Sequence, residues 1–360
     1  MRTFRSDNNA GLTPEAMRAI SEANDRSHEI GYGDDSYTQR AVEAFHRIFG
    51  EDLAVFFVAT GTAANTLAIA SLTEPWQQVI CHAHSHYNDD ESTAPERFTH
   101  CRICSVRSES SKLTPQDIEQ SANSRGDVHQ PQPGVVTVSN CTEFGTVYTA
   151  AEIQALCAAA HAMGYRVHID GARFANAVAA LKCDPRDITS RAGVDALSFG
   201  GTKNGLAFGE AVVFFPQGDR SAFDAAKNAF PFHRKGTGHL LSKHRFVSAP
   251  FAATLNDGSW LRHAAHANAM AAELSRGLKS LGLNLRFPTQ ANGVFVELPA
   301  EIDALLKSRG HGYYPFGDSS WNLTRLMCSF DTTPEEVQAL LNDIAAVRKK
   351  SEVRGQKSEY

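Results

Sequence analysis

Between residues 54 and 215 short apolar runs alternate with stretches that read as helices, and this alternation constrains the fold more than any other feature. The runs are AVFFVA (Ala54–Ala59), QVICHAH (Gln78–His84), RICSV (Arg102–Val106), GVVTVS (Gly134–Ser139), RVHID (Arg166–Asp170), ALSFG (Ala196–Gly200) and EAVVFF (Glu210–Phe215). Helical stretches lie between several of them, notably Gln116–Ala122 and Ala150–Met163. Strands that are apolar throughout must be covered on both faces, which requires helices above and below a mostly parallel sheet. The expected architecture is therefore α/β, with a seven-stranded sheet in a large domain. Helices are also expected at Thr13–Ala23, where Thr13 and Pro14 suit a cap and a first turn, and at Ser36–Gly50. After about Pro250 the pattern changes to a long Ala-rich helix (Trp260–Leu281), the segments NLRFP, GVFVELP and WNLTRLMCSF, and a helix from Thr333 to about Arg348. This predicts residues 1–250 as the large domain with an N-terminal arm and residues 251–360 as a smaller α+β domain. The polar tail KKSEVRGQKSEY is expected to fray.

Composition narrows the function classes. Of 360 residues, 42% are hydrophobic, enough for a sizeable core, and the net charge of −5 comes without a long basic block. Nucleic acid is therefore not an expected partner. The longest apolar runs are far shorter than a membrane span. The start, MRTFRSDNN, has no apolar core of a secretory signal. Seven scattered cysteines, an odd number, suit a reducing compartment, so the cytoplasm is expected. Cys101 and Cys104 form a lone C-x-x-C pair, read as part of a half-buried strand because two further zinc ligands are missing at suitable spacing.

Ligands of an open α/β sheet bind beyond the carboxyl ends of its strands. Four features fall at such ends. In Ala59-Thr60-Gly61-Thr62-Ala63-Ala64-Asn65 a strand stops, glycine turns the chain and a helix begins. Its backbone N–H groups and the Thr62 hydroxyl suit a phosphate, although such turns are also common without a ligand. In His82-Ala83-His84-Ser85-His86 alternation puts three histidines on one strand face. No metal is expected, because no carboxylate or cysteine is evidently placed to complete a site. An imidazole stacked on a flat cofactor is the favoured reading, with His86 nearest the acidic run Asp89-Asp90-Glu91. Third, His168-Ile169-Asp170-Gly171-Ala172-Arg173 ends a strand in a carboxylate that suits a protonated pyridine nitrogen. The competing reading is an aspartate that caps the next helix. Fourth, Lys203 stands alone among small residues in Ser198-Phe199-Gly200-Gly201-Thr202-Lys203-Asn204-Gly205. A Schiff-base lysine needs a partly desolvated amine and close backbone approach, whereas an exposed loop lysine needs neither.

With Asp170 and Lys203 one helix and one strand apart, the chain resembles the low-specificity L-threonine aldolase family of fold-type I pyridoxal-phosphate (PLP) enzymes. The resemblance rests on Arg5-Ser6-Asp7, Tyr32-Gly33-Asp34-Asp35, Thr60-Gly61-Thr62-Ala63-Ala64-Asn65, the His86 region, Asp170-Gly171-Ala172-Arg173, the Lys203 segment and Arg234-Lys235, with Arg325 in RLMCSFD as the landmark after Pro250. It implies a homodimeric active-site unit, commonly assembled into a homotetramer. Lys203 would carry PLP as a Schiff base, Asp170 would bind the pyridine nitrogen, and Arg173 would lie beside the ring and its phenolic oxygen. Gly61 and Thr62 would bind the phosphate, helped by Arg234, while His86 would stack on the ring. Ser6 and Arg325 would hold the substrate carboxylate, and Tyr32 would reach across the subunit boundary. Two departures stand out. Many members have Ser-Lys-Gly where this chain has Thr202-Lys203-Asn204, and many have His where Glu143 stands in NCTEFGTVY. GGTKNG and TEFGTVY look more like the phenylserine aldolase branch.

The implied reaction is retro-aldol cleavage of an L-β-hydroxy-α-amino acid to glycine and an aldehyde. His86, Glu143 or a water held by them would accept the β-hydroxyl proton, with His86 favoured. β-Elimination or transamination on the same cofactor is the alternative.

Overall fold

The computed structural model describes residues 3–25 and 28–356. The chain divides into two compact units. One gathers Met1–Ala10, Phe144–Thr146 and Arg262–Tyr360, and the other Gly11–Glu143 and Val147–Leu261.

The larger unit holds the seven strands the sequence predicts: β1 (Ala54–Val58), β2 (Gln77–His82), β3 (Arg102–Val106), β4 (Gln132–Ser139), β5 (Arg166–Gly171), β6 (Ala196–Gly200) and β7 (Glu210–Phe214). They form one sheet in the order β1-β7-β6-β5-β4-β2-β3. β3, β2, β4, β5 and β6 pair in parallel, whereas β7 runs antiparallel to both β6 and β1. The register sets Asp170 of β5 beside Ser198 of β6, and Gly200 of β6 beside Glu210 of β7.

Ten helices belong to this unit: α1 (Pro14–Ala23), α2 (Ser36–Phe49), α3 (Gly61–Ala70), α4 (His86–Asp89), α5 (Ala94–Thr99), α6 (Pro115–Gln120), α7 (Ala150–Ala162), α8 (Phe174–Leu181), α9 (Arg220–Gly236) and α10 (Arg245–Asn256). Local chemistry explains where several begin. Thr13 caps α1 through the Ala16 N–H, and Asp35 caps α2 through Thr38. Reciprocal Thr114–Asp117 and Thr149–Glu152 bonds open α6 and α7. Each such cap is worth about 1 kcal/mol. Beneath α2 and α10, Phe45 lies 5.1 Å from Phe199 and 5.9 Å from both Phe57 and Phe251, ring centre to ring centre. Burying each ring contributes roughly 1.5–3 kcal/mol.

One expectation changes. β2 stops at His82, and Ser85 caps α4, so the three histidines do not share one strand face. The cause is the short turn after His82, whose carbonyl accepts the Ser85 N–H at 2.9 Å. Pro231 and Pro250 lie inside α9 and α10, two helices that the prolines hid from a sequence reading. Of the C-x-x-C pair, Cys104 lies in β3 as expected, whereas Cys101 falls just before the strand and is buried, with its thiol toward the carbonyls of Glu74 and Thr99; both are free.

The smaller unit has a three-stranded antiparallel sheet of β8 (Gly293–Glu297), β9 (Tyr314–Phe316) and β10 (Leu323–Met327), in the order β8-β10-β9. Helices α11 (Ser259–Ser280), α12 (Ala300–Ser308) and α13 (Pro334–Gln356) accompany it. Leu274, Leu278, Val294, Val296, Leu326, Val337 and Leu340 form its buried centre together with Phe4. The N-terminal arm is tied in by two backbone bonds, Phe4 N–H to Gly312 O and Met327 N–H to Phe4 O, each 2.8 Å. α13 continues through most of the tail expected to fray, and residues 357–360 of that tail lie outside the described residues. Among the described residues no helix is long and apolar enough to cross a membrane.

Candidate active site

Several of the candidate residues gather at the carboxyl ends of β4, β5 and β6. Asp170 is buried at the end of β5, with only 6% of its surface exposed. One carboxylate oxygen accepts the Ala172 N–H at 2.9 Å, and the other accepts the Asn65 amide at 2.8 Å. It is not a helix cap, because α8 starts later, behind Arg173, with no side-chain cap bond. Burial alone would raise its pKa. The nearby His86, the Ala172 N–H and Lys203 together reverse that and hold the carboxyl below its ordinary value.

Asn65 carries the network onward. Its Nδ2 donates to Glu91 Oε1 at 2.8 Å as well as to Asp170. The Glu91 side chain is wholly buried, and its Oε1 pairs with His86 Nδ1 at 2.8 Å. Burial and then the charge of Asp170 raise Glu91 despite the His86 and Asn65 bonds. For His86, burial works downward, but the Glu91 bond and the Asp170 charge outweigh it and raise the imidazole, with Lys203 opposing. The ring keeps 35% of its side-chain surface exposed. Among the described residues its Nε2 makes no hydrogen bond. His86, Glu91 and Asp170 bring one ligating atom each within 4.8 Å of one another. Asn65 and the imidazole already supply donors to both carboxylates.

Glu143 lies on the other side of His86. Its Oε1 accepts the His86 backbone N–H at 2.8 Å and the Ser139 hydroxyl at 2.6 Å. Burial raises its pKa against those two bonds. Glu143 thus holds the start of α4 in place. The other two histidines take separate partners: His82 Nε2 meets Ser108 at 3.2 Å, and His84 Nδ1 meets Asp89 at 3.2 Å.

Lys203 sits half-buried in a 3-10 turn, Thr202–Asn204, just past β6. The backbone is packed tightly around it. A Cβ on Gly200 would collide with the Ala172 backbone, and one on Gly201 would sit 2.5 Å from the Gly209 carbonyl oxygen. Gly171 is equally confined: a Cβ there would sit 2.5 Å from the Ser198 carbonyl oxygen. The glycines therefore bring the Asp170 and Lys203 segments backbone to backbone. The Lys203 charge acts on His86, Asp170 and Glu210 alike.

Gly61 and Thr62 open α3. Thr60 caps Ala63 by its hydroxyl, and its carbonyl takes the Ala64 N–H at 3.0 Å. The N–H groups of Gly61 and Thr62 have no partner among the described residues. Arg234, on α9, donates to Phe57 O at 3.3 Å on the strand that leads into this turn, while its Nε is buried without a partner. Burial lowers its pKa. His239 Nδ1 accepts the Ala59 N–H at 3.4 Å. Tyr32 is 52% exposed and sits under the Lys235 ammonium at 5.0 Å. Arg173 is half-buried at the start of α8.

Ser6 and Arg325 belong to the smaller unit. Ser6 caps the turn Asp7–Asn9 by accepting the Asn8 N–H at 3.2 Å. Arg325, in the middle of β10, lies over the Phe316 ring at 5.2 Å. Phe316 belongs to an aromatic group in which Phe144 stacks on Phe287 at 4.5 Å and meets Trp321 at 5.8 Å.

Sequence reasoning passed over Asn65, Glu91, Ser139 and Glu210 as functional groups. Asn65 stands in the quoted turn and Glu91 in the quoted acidic run. Their partners, 26 and 105 residues from Asn65, become neighbours only in the folded sheet.

The beta-eliminating lyase family matches residues 3–301. A low-specificity L-threonine aldolase of Pseudomonas sp. is 44% identical over 346 residues, 96% of this chain and 97% of that protein. Another of that description, from Pseudomonas aeruginosa, is 44% identical over the same shares of the two chains. The solved structure of a threonine aldolase from Leishmania major matches with a TM-score of 0.89 at 28% identity, covering 96% of this chain and 99% of that one. An aminotransferase from Bacillus subtilis, at 15% identity and a TM-score of 0.69, shares the fold alone. The expected fold-type I architecture is borne out. The chain belongs to the beta-eliminating lyase family, a family of PLP-dependent enzymes, and within it to the low-specificity L-threonine aldolases.

Proposed function

We propose that the chain is a PLP-dependent aldolase that cleaves L-threonine, L-allo-threonine or L-phenylserine into glycine and an aldehyde, working in the cytoplasm as a homodimer or homotetramer. One observation carries the reading: a buried carboxylate held ionised, Asp170, beside a half-buried lysine, Lys203, whose charge it feels.

The residues fit the cofactor. Asp170 would pair with the protonated pyridine nitrogen and Lys203 would hold the carbonyl carbon through its Nζ. Arg173 would face the phenolic oxygen. The unpartnered N–H groups at the start of α3, the Thr62 hydroxyl and Arg234 suit a phosphate dianion. When bound, the cofactor supplies an electron sink for the charge left on the α-carbon.

The chain's own residues do the rest. Ser6 and Arg325 would grip the substrate carboxylate and fix the orientation of the bond to be broken. His86 would lie against the ring. Its Nδ1 bond to Glu91 leaves the Nε2 lone pair to accept the β-hydroxyl proton, directly or through water. Glu143 would set where His86 stands and border the substrate side chain. Tyr32 would meet substrate from the neighbouring subunit.

The test is to incubate the enzyme with L-threonine or L-phenylserine and assay glycine, aldehyde, ammonia and keto acid. Glycine and aldehyde are expected in equal amounts. Ammonia and keto acid without glycine would replace this reading with β-elimination or transamination.

A further inference from the structure

We propose that Glu210 is the positioning residue for Lys203, and that its buried carboxylate sets both the placement and the proton affinity of the lysine nitrogen. The inference rests on the proposed role of Lys203.

Glu210 opens β7, directly opposite Gly200 of β6 and Val58 of β1. It is 7% exposed. Its Oε2 accepts the Gly201 N–H at 2.5 Å, and the neighbouring Thr202 helps to hold its charge. Gly201 and Thr202 are the first residues of the turn that carries Lys203, and Gly201 itself offers no side chain to cap it. The start of the turn is therefore tied to one carboxylate from the neighbouring strand. A buried carboxylate is costly, and a neutral acceptor would satisfy a single N–H as well. What the charge adds is its effect on the amine one residue further on.

The reciprocal effect is visible. Burial pushes Glu210 up to about 7, and Lys203 is among the groups that pull it back. Among the described residues, Glu210 from β7, Asp170 from β5 and His86 from α4 all feel the charge of the lysine nitrogen. Val58 on β1, Gly200 on β6, and Val247 and Phe251 on α10, which wall the Gly209–Glu210 corner, contribute no charge. Asp170 is already committed to Asn65 and Ala172. Glu210 is thus the carboxylate tied to the lysine's own turn.

The test uses the holoenzyme and two substitutions, Glu210→Gln and Thr202→Val, with Lys203→Ala as the reference. The visible band of the lysine-bound cofactor is titrated against pH, and the apparent Kd for pyridoxal phosphate is measured by fluorescence. In Glu210→Gln the band's pH midpoint is expected to fall by about one unit, since a nearby negative charge favours the protonated nitrogen. The Kd is expected to rise about tenfold, from loss of charge-assisted bonds to the turn. kcat should drop while KM moves little. Thr202→Val removes the polar neighbour that helps to hold Glu210 in place without removing the charge, so its Kd should rise and its midpoint should stay. If Glu210→Gln leaves the midpoint within about 0.2 units of the parent, the inference fails, whatever happens to stability. If Glu210→Gln does not fold, a Thr202→Val enzyme with unchanged Kd overturns it. A parent band that survives Lys203→Ala would instead refute the proposed role of Lys203.

Discussion

Asp170 and Glu210 are two buried carboxylates on one sheet, and both feel Lys203, yet they are driven in opposite directions. Asp170 sits at the carboxyl end of a parallel strand, with Asn65 and Ala172 as donors and His86 and Lys203 as charges, and it is held below its ordinary value. Glu210 starts the antiparallel β7, receives its donors from one turn, and is raised to about 7. Equal burial thus does not dictate the charge of a group. The number of positive neighbours does, and the strand direction decides which neighbours there are. One carboxylate is held as an anion, as the proposed partner of a pyridine nitrogen must be. The other is poised near neutrality under the lysine.

The largest expected effect breaks the anionic member. Asp170→Asn keeps the shape but removes the charge. Losing a buried charge partner costs about 3–5 kcal/mol, which corresponds to a fall in kcat/KM of roughly two to four orders of magnitude. Steady-state kinetics on the substrate that gives glycine would measure it. A loss of less than tenfold would mean that Asp170 does not pair with the cofactor.

Much of this asymmetry was legible in the sequence, and part of it could not be. The strand runs, the TGT turn, Asp170 and Lys203 are local features: period, punctuation and one residue at a strand end. Their positions come through with boundaries shifted by a residue or two. The reversed direction of β7 is not local. EAVVFF reads the same in either direction, so nothing marked Glu210 as lying at the Lys203 end of its strand. Nor could spacing reveal Asn65 between Glu91 and Asp170, because that contact depends on α3 packing beside β5. The helices α9 and α10 were obscured by Pro231 and Pro250, each of which costs an interior hydrogen bond that tertiary packing offsets.

A smaller effect sharpens the contrast by way of His86. Its imidazole is raised because Glu91 and Asp170 outweigh burial. Glu91→Gln removes one of those charges, so the pKa of His86 should fall. If Nε2 must be neutral to accept the β-hydroxyl proton, the acid limb of the kcat/KM profile should move to lower pH. The plateau should fall by about tenfold to a hundredfold as the ring loses its orienting anion. An acid limb that stays in place would point to Glu143 or water as the base.

The smallest effect lies in stability, read in the cofactor-free chain by thermal melts at several pH values. The Glu210 carboxyl is raised on folding from 4.5 to about 7, so the folded chain binds more protons than the unfolded one across that window. Stability carried by this group is complete below pH 4.5 and declines as the pH rises through about 7, by about 1.4 kcal/mol for each pH unit crossed. Asp170 has the reverse sign: its carboxyl is lowered on folding, so its contribution is present above the unfolded pKa and is lost as the pH falls through the folded one. Glu210→Gln should therefore flatten the decline between pH 5 and pH 7 and leave the acid side unchanged. Asp170→Asn should do the opposite, weakening the dependence at low pH and leaving the neutral window alone. If both substitutions flatten the same window, the two carboxylates titrate as one coupled group through Lys203, and the division of labour between the strands would have to be redrawn.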